Sequence, residues 1–187
     1  MSAPELRSVL TGHLVPGRHG HSSRPGVTLF ERACDAVEVA ARRGQVETVR
    51  TRLPRDAAEV APGVFFVTGP NRAPGAFAGE LERELTGVAS VVDLSSGLVA
   101  VRVGGPDSRR MLAKGCRLDL HPKAFSSGKA ARTIIAHVPT TLIAVDDAPR
   151  FDLFVPTTLA RSFVDHLLRA AAEFGCTILP AEERSSS

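Results

Sequence analysis

From residue 88 onward the chain alternates short β-rich runs with two helical stretches, in the order β-β-α-loop-β-β-β-α. That order limits the folds open to it. The runs 88–94, 98–103, 132–138, 141–145 and 151–155 are rich in Val, Ile, Leu, Thr and Phe and are bounded by turn residues, as strands are. Strict β-α-β alternation is absent, which disfavours a doubly wound parallel sheet. The pattern predicts an α+β fold: a mostly antiparallel sheet with helices packed on one face.

The closing helix has the clearest signature. Leu159, Phe163, Leu167, Ala171 and Phe174 recur at helical spacing, with Val164 and Leu168 flanking the stripe. Thr157 or Thr158 is placed to cap its start, and Gly175 ends it. Gly105-Pro106-Asp107 opens the other helix, with Pro at a first-turn position and Asp at the positive end of the dipole, and Gly115 closes it. Ser95-Ser96-Gly97 reads as a hairpin-type connection. Pro139 and Asp146-Asp147-Ala148-Pro149 read as the turns between the last three strands. Upstream, strands are predicted at 27–31, 37–42 and 64–68. Helices are predicted at 45–53, stopped by Pro54, and at 76–85, where Phe77, Leu81 and Leu85 share one face.

Loop residues crowd both ends. The predicted organisation is a flexible N-terminal arm over 1–26, one α+β domain over 27–179, and a disordered tail over 180–187. The chain has 187 residues and is 43% apolar, enough for a core without disulfide or metal staples. No stretch approaches 18 apolar residues and residues 1–14 lack a continuous apolar segment, so neither a membrane span nor a signal peptide is expected. Cys34, Cys116 and Cys176 are odd in number and far apart, with no CxxC or CxxH pair. Free thiols suit a reducing compartment, and a cytoplasmic location is expected.

Charge is uneven. Net charge is +3, yet residues 102–132 hold eight basic against two acidic groups, and residues 135–187 hold four basic against seven acidic. A basic face for an acidic partner or anionic ligand is one reading, and a solvated surface is the other. With nine Phe and neither Trp nor Tyr, the chain lacks the aromatic platforms of single-strand nucleic-acid readers, and no nucleic-acid partner is expected.

No catalytic set can be assembled from the residues. Ser95-Ser96-Gly97 lacks the Gly that a nucleophile elbow needs two residues before its Ser. Phe125-Ser126-Ser127-Gly128-Lys129 lacks the first Gly of a phosphate loop, and Ala130 stands where its Ser or Thr belongs. His13, His19 and His21 have no carboxylate or Cys at ligand spacing, so no metal site is predicted. Cys116 and His121 would act as a dyad only in contact and with an orienting third group.

One segment carries a family signature. Val91-Val92-Asp93-Leu94-Ser95-Ser96-Gly97 leads to Gly104-Gly105-Pro106-Asp107. Then comes Met111-Leu112-Ala113-Lys114-Gly115-Cys116-Arg117-Leu118-Asp119-Leu120-His121-Pro122-Lys123-Ala124-Phe125. This closely resembles the gamma subunit of heterotetrameric sarcosine oxidase, and the resemblance is best over 88–175. It implies a glycine cleavage T-protein-like fold with ferredoxin-like elements. It also implies a non-catalytic assembly role beside alpha, beta and delta subunits. Those would carry FAD, FMN, NAD, zinc and tetrahydrofolate, with no cofactor on this chain. Such complexes oxidatively demethylate sarcosine or a related N-methyl amine. On this reading Arg18, His19, Lys114, Cys116, Asp119, His121 and Phe125 are interface candidates. A stand-alone folate-binding one-carbon protein is the alternative, with Asp93 as its candidate pterin carboxylate.

Overall fold

A computed structural model describes residues 8–20, 22 and 24–181. His21, and residues 182–187 of the expected tail, lie outside them. Eleven strands and four α-helices are formed by the described residues. The strands are β1 (Gly17–His19), β2 (Val27–Arg32), β3 (Asp35–Ala41), β4 (Ala58–Ala61), β5 (Val64–Gly69), β6 (Ala89–Asp93), β7 (Leu98–Gly104), β8 (Ala130–Ile135), β9 (Val138–Asp146), β10 (Arg150–Pro156) and β11 (Cys176–Ile178). The helices are α1 (Val46–Arg52), α2 (Ala76–Glu84), α3 (Ser108–Ala113) and α4 (Ala160–Ala171).

The strands form two sheets. The larger has the order β1-β11-β2-β7-β10-β9-β8 and the smaller the order β4-β5-β3-β6. Among the described residues only β11 with β2 is a parallel pair, and the other pairs are antiparallel. The α+β expectation is met, with the helices of each sheet on one face.

Side-chain alternation along the strands decides the layering. Val99, Val101 and Val103 of β7 and Phe151, Leu153 and Val155 of β10 face the core shared with α3 and α4. Val37 and Val39 of β3 and Phe65 and Val67 of β5 face the core shared with α1 and α2. The opposite faces meet each other: Ala36 and Phe66 of the small sheet pack on Ala100 and Phe154 of the large one. The rings of Phe66 and Phe154 lie 4.6 Å apart at 57°. The result is a stack of helices, sheet, sheet and helices.

Three expected local features are corrected. Ser95-Ser96-Gly97 is not a hairpin but a crossing between sheets, since β6 belongs to the small sheet and β7 to the large one. The Leu94 and Ala36 backbones and the Ser95 hydroxyl keep β6 tied to β3: Leu94 N–H donates to Ala36 O at 2.8 Å, and Ala36 N–H donates to Ser95 Oγ at 3.0 Å. Gly97 and Leu98 N–H groups then close on Leu94 O at 3.0 and 3.1 Å and turn the chain toward the other sheet. The local turn chemistry was readable, but the partner strand was not. Secondly, Pro139 lies inside β9, opposite Ile134. The turn is Ala136-His137, both with positive φ (49° and 68°), the type I′ signature of a two-residue hairpin. Ile135 and Val138 flank that turn as the hydrogen-bonded pair, so the next pair leaves the Pro139 nitrogen facing away from β8. β10 pairs only from Thr141 onward, so the missing N–H breaks no ladder bond. Thirdly, neither Thr157 nor Thr158 caps α4 through its side chain; a 3₁₀ turn over Thr157–Leu159 leads in, and Thr157 N–H donates to Gly97 O at 3.0 Å.

The described part of the expected arm is docked. Leu10 is 1% exposed in the core under the large sheet. Arg161 Nε donates to Val9 O at 2.9 Å, and His13 Nε2 meets Asp165 Oδ1 at 3.1 Å, so both contacts are to α4. β1 pairs with β11 at the edge of the sheet.

Cys176 is 1% exposed in β11, and burial pushes its thiol up to about 11. Its thiolate is therefore scarce at pH 8. Iodoacetamide at that pH is expected to leave Cys176 unmodified in the native protein and to alkylate it in denaturant. Native labelling at the denatured rate, read by peptide mass spectrometry, would contradict this placement.

Candidate functional site

The signature segment wraps the large sheet's helical layer. Its apolar residues point inward: Met111, Leu112, Cys116, Leu120 and Phe125 are all in the core. The residues between them, Lys114, Arg117, Asp119, His121 and Lys123, are exposed. Cys116 also bridges to Ile135 of β8, and Ala136 N–H donates to Gly115 O at 3.2 Å. The loop is thus held to the hairpin beside it.

Arg109 secures the same loop from below. Its Nη1 donates to Leu120 O and, at 3.0 Å, to Phe125 O, while its guanidinium lies 4.9 Å from the Phe151 ring centre. His121, Ala124 and Phe125 form one helical turn, with both N–H groups donating to His121 O at 2.8 Å. Asp119 Oδ1 accepts the His121 N–H at 2.8 Å, and His121 Nδ1 accepts the Lys123 N–H at 3.2 Å. Lys129 Nζ reaches Ala124 O at 2.9 Å. A loop pinned at this many points presents its exposed side chains from a rigid base.

Lys114 joins α3 to the end of α4. Its ammonium donates to Ala170 O at 2.7 Å, pairs with Glu173 at 2.6 Å and lies over Phe174 at 4.8 Å. Arg110 covers the same ring at 4.8 Å and pairs with Asp107 at 2.7 Å. His166 is partly buried beside them; desolvation, with Arg169 and Lys114 nearby, lowers its pKa and favours the neutral ring. An open cleft of about 430 Å³ lies next to this corner, lined by Arg24, Pro25, Gly26, Asp107, Arg110 and Phe174 among others.

The sequence candidates separate in space. Lys114, Asp119 and His121 are on the surface, whereas Cys116 and Phe125 are core residues that the chain itself covers. Cys116 is therefore inside and His121 outside, and they form no dyad. Arg18 and His19 stand in β1, exposed and opposite Thr177 and Cys176. Asp93 is exposed at the end of β6, where its Oδ1 accepts the Ser95 N–H at 2.9 Å and shapes the crossing turn. Among the described residues no three His, Cys, Asp or Glu side chains group at metal-binding distance.

Sequence reasoning missed one charged cluster. Asp152 of β10 is 3% exposed and faces the small sheet. Its carboxylate accepts from Arg102 Nε and Nη2 at 2.6 and 2.8 Å and from Arg32 Nη1 at 2.7 Å. The signal was present: Phe151-Asp152-Leu153-Phe154-Val155 is an apolar run broken by one acid. Arg102 and Arg32 stand on the neighbouring β7 and β2, and only the register brings the three together.

Comparison with known proteins gives a consistent picture. The model of the sarcosine oxidase gamma subunit family matches residues 70–173, more than half of the chain. The sarcosine oxidase subunit gamma of an Arthrobacter species is 33% identical over 105 residues, 49% of this chain and 51% of that one. The subunit of the same name from Corynebacterium sp. strain P-1 is 33% identical over 113 residues, 51% of this chain and 53% of that one. The match thus spans about half the length of these relatives. Among solved structures, a chain of heterotetrameric sarcosine oxidase from Corynebacterium sp. U-96, in complex with pyrrole 2-carboxylate, superposes with a TM-score of 0.69 at 22% identity, covering 82% of this chain and 87% of that one. The glycine cleavage system aminomethyltransferase T of Bartonella henselae superposes with a TM-score of 0.61 at 15% identity, covering 92% of this chain and 50% of that one. These two likenesses give the fold.

Proposed function

The chain belongs to the sarcosine oxidase gamma subunit family, and on that premise we propose that it is a non-catalytic assembly subunit of a sarcosine-oxidase-type complex. Its partners are alpha, beta and delta subunits. These carry FAD, FMN, NAD, zinc and tetrahydrofolate, and this chain carries none. The complex works in the cytoplasm. It oxidatively demethylates sarcosine or a related N-methyl amine to the free amine, glycine in the case of sarcosine. Oxygen is reduced to hydrogen peroxide, and the methyl carbon leaves at the formaldehyde level or passes to tetrahydrofolate. Residues 27–179 act as one unit in this role.

The observation that supports an assembly role most directly is the construction of the signature loop. Its apolar side chains are consumed by the core and its charged side chains all face outward, which builds a firm surface rather than a reaction chamber. The test is co-expression with any flavoprotein and small zinc-protein reading frames found beside this gene, followed by affinity capture on this chain. Retained large subunits with a flavin absorption spectrum and sarcosine-dependent peroxide are expected. A chain that elutes alone, with the neighbours soluble in the flow-through, overturns the reading. Tetrahydrofolate binding by the isolated chain would then favour a stand-alone folate-binding one-carbon protein, with Asp93 as the first residue to replace.

A further inference from the structure

We infer that the surface of the 116–129 loop is a docking face for an acidic patch on a partner protein, with Arg117 and Lys123 as its outermost contacts and Lys129 and Arg109 behind them. The folded chain sorts the basic stretch 102–132 into two groups. Arg102 is taken by Asp152, Arg110 by Asp107, Lys114 by Glu173 and Arg132 by Glu38. Arg109, Arg117, Lys123 and Lys129 have no carboxylate partner among the described residues, and all four belong to the signature loop or support it.

Three of these cations meet at one turn, and Arg117 stands exposed three residues before Leu120 on the same loop. Lys123 stands on the His121–Phe125 turn, Lys129 Nζ is bound to the carbonyl of Ala124, and Arg109 is bound to those of Leu120 and Phe125. The carboxylates nearby are already engaged or few. Asp146 is paired with Arg150, while Asp119, which accepts a backbone N–H and keeps its charge, and the exposed Asp147 offset only part of the four positive charges. Such an uncompensated group on a rigid base gives a local positive potential that steers an oppositely charged surface into register.

The chemistry favours a protein over other anionic partners. Phe125 is buried, so the loop offers no aromatic platform to a base. Arg109 and Lys129 already donate to backbone carbonyls, and the 430 Å³ cleft is lined by residues outside this loop, so these cations are not gathered around a small anion. Spaced carboxylates on a protein face match exposed cations that need not give up their present bonds. This docking face rests on the subunit reading above.

The test uses the full chain, immobilised, with the purified partner subunits as analyte at several ionic strengths. Arg117→Glu with Lys123→Glu reverses two exposed charges that hold no ion pair among the described residues. Arg42→Glu with Arg43→Glu makes the same change of net charge on the exposed turn after β3 of the small sheet. Lys123→Ala serves as a milder loop variant, and matching thermal melts establish folding. The loop reversal is expected to lower the association rate about tenfold or more and to flatten its salt dependence, while the Arg42/Arg43 variant stays near wild type. Equal rates for the loop variants and wild type overturn the docking face but leave the subunit reading intact. Failure of the wild-type chain to bind any partner subunit overturns both. Oligonucleotide binding that the loop reversal abolishes, with partner capture untouched, assigns the surface to nucleic acid and overturns the inference.

Discussion

Replacing Asp152 with alanine is expected to destabilise the protein by roughly 3–5 kcal/mol, the usual cost of breaking a buried ion pair from one side. Two guanidinium groups converge on this carboxylate with three hydrogen bonds, at a position 3% exposed. Removing it leaves Arg32 and Arg102 facing each other between the sheets without the shared anion. The melting temperature should fall by on the order of 10 °C. Replacing all three together by Met, Leu and Met should recover much of that loss, because no buried charge then remains unpaired. Chemical denaturation of the wild type and the two variants checks both statements. A loss below about 1 kcal/mol for Asp152→Ala would mean that solvent reaches the cluster freely.

Truncating Phe154 to alanine should cost about 3–5 kcal/mol, the range for a buried aromatic whose neighbours cannot collapse into the space. Phe154 is 2% exposed and its ring packs on Phe66 across the two sheets. The contact therefore helps hold the small sheet to the large one. The ring pair itself should contribute about 0.5–1.5 kcal/mol beyond buried area, measured as the coupling of Phe66→Leu and Phe154→Leu in a double-mutant cycle. A coupling near zero would leave the sheet-to-sheet attachment to the surrounding apolar contacts and to the Arg132–Glu38 pair. The two effects should not simply add, since Asp152 and Phe154 lie on the same face of one strand.

The inter-sheet layer also marks where sequence reading reached its limit. Each strand around it was visible as a run of β-branched and apolar residues. Its membership in one sheet or the other was not, because the two inner faces carry the same kinds of residue: Ala36 and Phe66 on one, Ala100 and Phe154 on the other. Ser95-Ser96-Gly97 has the composition of a hairpin, and nothing local tells a turn that returns beside its own strand from one that leaves for another sheet. Short strands were missed for a related reason. Gly17–His19, Ala58–Ala61 and Cys176–Ile178 are three or four residues long and are strands only because a neighbour completes their hydrogen bonds.

The candidate surface was partly legible. The basic excess of residues 102–132 and the signature run were plain in the sequence. Which cations are neutralised was not: Arg132 meets Glu38 from the other sheet, and Lys114 meets Glu173 from the end of the chain. Cys116 and Phe125 look the same in a list as His121 and Lys123. Burial separates the two pairs, and it depends on where α3 sends the chain after Gly115.

The amino-acid sequence by itself determined the helix periods, the strand runs, the antiparallel α+β class and the family, because each rests on the spacing of nearby residues. Only the tertiary structure decided the division into two sheets, the docking of residues 8–19, the burial of Asp152 between two arginines and the cations left unpaired. The physical reason is the same in each case. Hydrophobic period and turn chemistry are local properties, whereas strand partners, burial and ion pairs are settled by groups dozens of residues away that compete for one interior.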